Sequence, residues 1–119
     1  FQTCALSDLL RELQAMTAEA EGMLRRGEVE AFGRLLHEGW MRKRGLAEGI
    51  SNGRIDEAYA AAREAGAWGG KLLGAGGSGF LCLAAPPEAK GKIRERLKDL
   101  LEVPFRFENT GSRIVFRSE

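Results

Sequence analysis

Gly69-Gly70-Lys71-Leu72-Leu73-Gly74-Ala75-Gly76-Gly77-Ser78-Gly79-Phe80 is the stretch on which the fold turns. Glycine at this density is costly in chain entropy, so an ordered run of it answers a need for positive φ or for close backbone approach. A phosphate, or a tight loop packed against another domain, would create that need. Downstream, Phe80-Leu81-Cys82-Leu83-Ala84-Ala85 is apolar and is stopped by Pro86-Pro87. A short apolar run halted by prolines reads as a strand. The unit is therefore strand, glycine loop, strand.

That order excludes three familiar phosphate-binding loops. A P-loop needs a hydroxyl residue after its Gly-Lys pair and a helix beyond it, but Leu72 follows Lys71. Gly74-Ala75-Gly76-Gly77-Ser78-Gly79 matches G-x-G-x-x-G by letter, yet it opens a strand where the dinucleotide fingerprint opens a helix. A protein-kinase glycine loop is followed by a strand bearing a lysine, and no lysine occurs between Phe80 and Lys90.

Working outward, the N-terminal side is helical. Leu6, Leu9, Leu10, Leu13, Met16, Ala20 and Met23 recur at three- and four-residue steps, with Ser7 as a candidate cap and Gly27 as terminator. A second helix begins at Glu28-Val29-Glu30 and turns Val29, Phe32, Leu36 and Trp40 inward. Met41-Arg42-Lys43-Arg44 gives it a basic last turn. Ser51-Asn52-Gly53 is a turn and cap signal for a third helix from Arg54 to about Ala65, with Ile55, Tyr59 and Ala62 inward and Gly66 at its end. On the C-terminal side, Pro86-Pro87-Glu88 opens a fourth helix lined by Ala89, Ile93, Leu97 and Leu100 or Leu101. Val103, Phe105 and Phe107 then alternate with polar residues, and Ile114 and Phe116 follow a turn, which predicts a closing hairpin. The whole reads as one α+β domain over residues 1–119, a small and mostly antiparallel sheet with helices on one face.

Composition narrows the function classes. The formal net charge is +1, from 18 Lys+Arg and 17 Asp+Glu, so no basic field argues for nucleic acid. No apolar run approaches the ~20 residues of a membrane helix. Cys4 and Cys82 form no CxxC spacing, and Cys82 reads as a buried thiol in the second strand; a reducing cytoplasm is the expected compartment. One histidine, His37, offers no metal cluster and reads as structural.

The glycine stretch resembles the third conserved motif of the GHMP kinases, the superfamily of galactokinase, homoserine kinase, mevalonate kinase and phosphomevalonate kinase. Three further segments are similar to its sugar branch, typified by D-glycero-D-manno-heptose 7-phosphate kinase. These are Phe32-Gly33-x-Leu35-Leu36-His37-Glu38-x-Trp40-x3-Arg44, Ile50-Ser51-Asn52-x2-Ile55-Asp56-x2-Tyr59 and Glu102-Val103-Pro104-Phe105-Arg106-Phe107. The resemblance implies a ferredoxin-like α+β sandwich, the C-terminal domain of an ATP- and Mg2+-dependent sugar-phosphate kinase. It also implies an N-terminal domain of the same polypeptide as partner. That domain carries a Gly-Leu-Gly-Ser-Ser-type phosphate loop, which this sequence lacks, so the chain alone is expected to bind no cofactor and to be inactive.

Physically, successive backbone N–H groups from Gly74 through Ala75, Gly76, Gly77 and Ser78 to Gly79 can form an anion-binding concavity. The resemblance places this loop on the active-site cleft. Ser78 departs from the all-glycine run of the closest branch, but it is small and can donate to a phosphate. Lys71, Asp56, Trp40 and Lys43 are candidate substrate contacts. Each also has a plainer reading, as a solvated strand lysine, a helix-dipole partner, a core residue and a solvated last turn. No catalytic base and no metal ligand is assigned. A stand-alone ferredoxin-like ligand-binding or regulatory module is the alternative, and it predicts a polar surface all round.

Overall fold

The structure, a computed structural model, describes residues 2–45, 49–74 and 77–118, with side chains from Ser7 onward. Helix α1 spans Gln2–Arg25, α2 Val29–Arg44 and α3 Gly53–Glu64. Strand β1 is Gly69–Leu73 and β2 is Phe80–Ala84. A 3-10 turn over Pro87–Ala89 leads into α4, Lys90–Arg96. The result is a small α+β domain with a two-stranded antiparallel sheet and four helices. None of the described helices is long and apolar enough to cross a membrane.

Local chemistry explains most of the boundaries. Gly27 stops α1 at a φ of 70°, and Gly66 stops α3 at 110°. Ser7 lies inside α1 and does not cap it. Asn52 is the N-cap of α3, its side chain accepting from the Ile55 N–H at 3.0 Å. Arg42 of α2 reaches Glu12 of α1 at 3.1 Å, tying the two helices where they pack.

The sheet is a hairpin in which Gly69 faces Ala84, Lys71 faces Cys82 and Leu73 faces Phe80. Helix α2 packs on β1 at very short range. A Cβ built on Gly69 would collide with the Gly33 carbonyl oxygen and stand 2.8 Å from the His37 nitrogen. One built on Gly33 would lie 2.7 Å from the Trp68 Cβ. This glycine-to-glycine approach sets which face of α2 is buried: Gly33, Leu35 and Trp40 lie inside. Val29, expected inward, is exposed, because the contact is made through missing side chains and not through the largest ones.

Two apolar clusters form the core. Ala62, Ala67, Ala89 and Ile93 join α3 to α4, while Trp40, Tyr59 and Leu72 join α2, α3 and β1. Leu83 packs against both.

The C-terminal region departs from the sequence reading. Helix α4 ends at Arg96, and Leu100 and Leu101 are exposed instead of lining it. The hairpin expected over Val103–Phe107 and Ile114–Phe116 does not form, and residues 101–118 are exposed without strand or helix. Phe105 and Phe107, both largely exposed, meet edge to face at 5.6 Å between centroids. An isolated hairpin is marginal in water unless a further strand or a helix covers its apolar face. No described element covers this one. The Cα radius of gyration, 16.4 Å, accordingly exceeds the about 13.5 Å of a compact chain of this length.

Candidate functional site

The β1–β2 connection is built for a special backbone. Gly74, Gly77 and Gly79 have φ of 108°, 72° and 124°, where a side chain would be strained. Ala75 and Gly76, the next two residues of the expected phosphate loop, lie outside the described residues.

Gly77 is held from both sides by the turn before α3. Its N–H donates to the Ile50 carbonyl at 2.9 Å, and its carbonyl accepts from Asn52 Nδ2 at 3.0 Å. A Cβ at Gly77 would also press the Gly49 carbonyl oxygen at 3.0 Å. The two loops are therefore one structure. The Gly77 amide is spent inside it, so an anion at the loop would be met by other donors. Ser78 is exposed beside it.

Asp56 stands one turn into α3. Its Oδ1 accepts from Ser51 Oγ at 2.7 Å and from Arg44 Nη1 at 3.3 Å. Both bonds fall on one oxygen, and Oδ2 has no hydrogen-bond partner among the described residues. Lys71 is half-buried at the centre of β1 and makes no ion pair among the described residues. Lys43 is half-buried in the last turn of α2; it is the adjacent Arg44 that reaches Asp56. Trp40 is 2% exposed, in the core against Leu72 and Tyr59. Its Nε1 has no hydrogen-bond partner among the described residues.

Behind this face, Tyr59 connects three elements. Its hydroxyl lies 2.7 Å from His37 Nδ1, and its ring packs with Trp40 and with Leu72 of β1. Burial holds the imidazole below its ordinary pKa, and the nearby Arg63 and Arg44 charges push the same way. Burial raises the Tyr59 phenol. Arg63 also donates to the carbonyls of Ala67, at 2.9 Å, and Trp68, fastening the entry to β1.

The sequence placed the glycine stretch between two strands and the cap of α3 at the Ser51–Gly53 turn. It missed the Asn52–Gly77 bond, the Arg44–Asp56 pair and the Tyr59 junction. The Ser-Asn-Gly signal could have found the first only as a cap. Among the described residues no three His, Cys, Asp or Glu side chains gather to hold a metal ion. This face can supply backbone and hydroxyl donors, one carboxylate oxygen and positive charge.

A family model described as "GHMP kinases C terminal" matches residues 6–103. The chain belongs to that family. Among solved structures, "Crystal structure of L. major mevalonate kinase in complex with R-mevalonate" matches with a TM-score of 0.63 and 21% identity. The match covers 83% of this chain and 34% of that one, so the chain spans about a third of the kinase's length. At this identity the likeness is one of fold. No curated protein matches the sequence. The α+β architecture is thus that of a GHMP kinase C-terminal domain, and members of that family are phosphotransferases. In this GHMP domain the glycine loop is the β1–β2 connection, and the turn before α3 is its support.

Proposed function

We propose that this domain is the C-terminal part of an ATP-dependent sugar-phosphate kinase, with heptose 7-phosphate as the substrate class. The observation that carries the reading is the glycine loop: a backbone held open by three positive-φ glycines and anchored at Gly77. Phosphoryl transfer needs phosphate cradling, a metal and in-line positioning together. This chain contributes to cradling and positioning. Ser78 donates to a phosphate oxygen, Lys71 adds positive charge from β1, and Asp56 Oδ2 accepts from a sugar hydroxyl. Gly74, Ala75, Gly76 and Gly79 let the ligand approach the backbone. Lys43 adds charge at the rim, and Trp40 supports β1 from within the core. ATP and Mg2+ belong to an N-terminal domain of the same polypeptide. The heptose assignment rests on the similarity of the Phe32–Arg44, Ile50–Tyr59 and Glu102–Phe107 segments to the sugar branch.

The exposed apolar surface supports the partner domain. Leu73 and Phe80 flank the glycine loop and are 44% and 62% exposed, and Phe107 and Phe116 are more than 80% exposed. A self-sufficient binding module would present a polar surface there. The test is ADP release by the full-length protein with heptose 7-phosphate, and with mevalonate as the comparison. Turnover confined to the sugar phosphate supports the proposal. Turnover with mevalonate alone, or by residues 1–119 alone, overturns it.

A further inference from the structure

We infer that Asn52 is a positioning residue of the glycine loop, holding Gly77 in place before any ligand arrives. The inference rests on the reading of that loop as a phosphate-contacting segment. One side chain has two tasks. Oδ1 accepts from the Ile55 N–H at 3.0 Å and caps α3, while Nδ2 donates to the Gly77 carbonyl at 3.0 Å. The amide orientation is fixed by this pairing, since turning it over would set oxygen against carbonyl and NH2 against N–H.

A cap needs only an acceptor. Serine and aspartate cap as well as asparagine, but an ionised aspartate has no donor and the serine hydroxyl, one bond shorter than the amide, falls short of the Gly77 carbonyl. The second bond is therefore not explained by the helix. It works with the Gly77 N–H to Ile50 carbonyl bond, so that both polar groups of one peptide unit's residue are held by consecutive parts of the 50–52 turn. Gly77 is where the chain takes a φ of 72°, and a loop of glycines has many other conformations open to it. Fixing Gly77 removes that residue's share of this freedom in advance, and a ligand that contacts it then has less backbone to order. Through Asn52 the loop is referenced to the α3 axis. The same helix carries Asp56, so phosphate-side and sugar-side contacts share one rigid support.

Asn52→Ser separates the two tasks, because it keeps the cap, adds no charge and cannot reach Gly77. The Gly77 amide should exchange with solvent about tenfold faster in the variant. The melting temperature should stay within about 2 °C of the parent. In the full-length protein the KM for the phosphorylated sugar should rise about fivefold with kcat within about twofold. A merely structural defect would instead reduce the active fraction and leave KM alone. Asn52→Asp is a second variant for the exchange measurement alone. Unchanged Gly77 exchange in both variants overturns the positioning role. Faster exchange with KM and kcat both unchanged leaves the clamp in place but overturns the loop as a ligand contact. Faster exchange together with raised KM supports both.

Discussion

The Tyr59 hydroxyl stands 2.7 Å from Nδ1 of His37 and fastens α3 to α2, while its ring packs against Leu72 of β1. Tyr59→Phe removes the hydroxyl and leaves the half-buried His37 ring nitrogen without its partner. The expected loss is about 1–3 kcal/mol in denaturant unfolding. The ring fills the same space, so little of this comes from packing.

The same junction sets an acid-side dependence. Folding lowers the His37 pKa, so below about pH 6.5 the unfolded chain binds the proton more readily than the native one. The contribution is complete above that value and is lost as the pH falls through the lowered native value. His37→Gln should flatten the fall in stability on that side, measured as melting temperature against pH relative to the parent.

Glycine substitutions should split by position. Gly69→Ala drives a methyl into the Gly33 carbonyl and the backbone of α2, with an expected loss of about 2–3 kcal/mol or failure to fold. Gly91→Ala, in α4 with open space around it, should gain about 0.5–1 kcal/mol. Equal effects at the two sites would contradict the close α2–β1 approach.

Asp56→Asn retains an oxygen for Ser51 and loses the ionic part of the Arg44 contact. The pair is largely solvent-facing, so the stability cost should be below about 1 kcal/mol. If Oδ2 serves the sugar, the KM for the sugar phosphate should rise about tenfold in the full-length protein. An unchanged KM would remove Asp56 from the substrate contacts.

Deleting residues 103–118 should leave the unfolding free energy of this domain within about 0.5 kcal/mol of the parent. These residues bury almost nothing, and their amides should exchange rapidly. If a partner domain covers Phe105, Phe107 and Phe116 in the full-length protein, as proposed, the same amides should be protected there.

What the sequence revealed follows the range of the interactions involved. Helix α3 was legible to within a residue at each end, because Asn52 and Gly66 act on their immediate neighbours. The β1–β2 unit was legible because Gly74–Gly79 and Pro86-Pro87 bound two short apolar runs. The inner face of α2 was only half legible: periodicity marked Trp40, but the part played by Gly33 depends on Gly69, 36 positions away in the numbering. The alternation at Val103, Phe105 and Phe107 announced a strand face without saying what lies against it. Asn52 looked like a cap because its second partner, Gly77, is separated from it by helix and strand.

Leu83 belongs to the shell of both apolar clusters. That makes it the point through which cooperativity passes. One cluster gathers α3 and α4, and the other gathers α2, α3 and β1 around Trp40. With Leu83 in place the two should melt as a unit. With it truncated, the α4 side would be free to open while the Trp40 side stays closed, and native-state exchange would resolve two foldons where there was one. The folding unit is then defined less by where the chain's helices and strands lie than by one side chain on β2 that both clusters share.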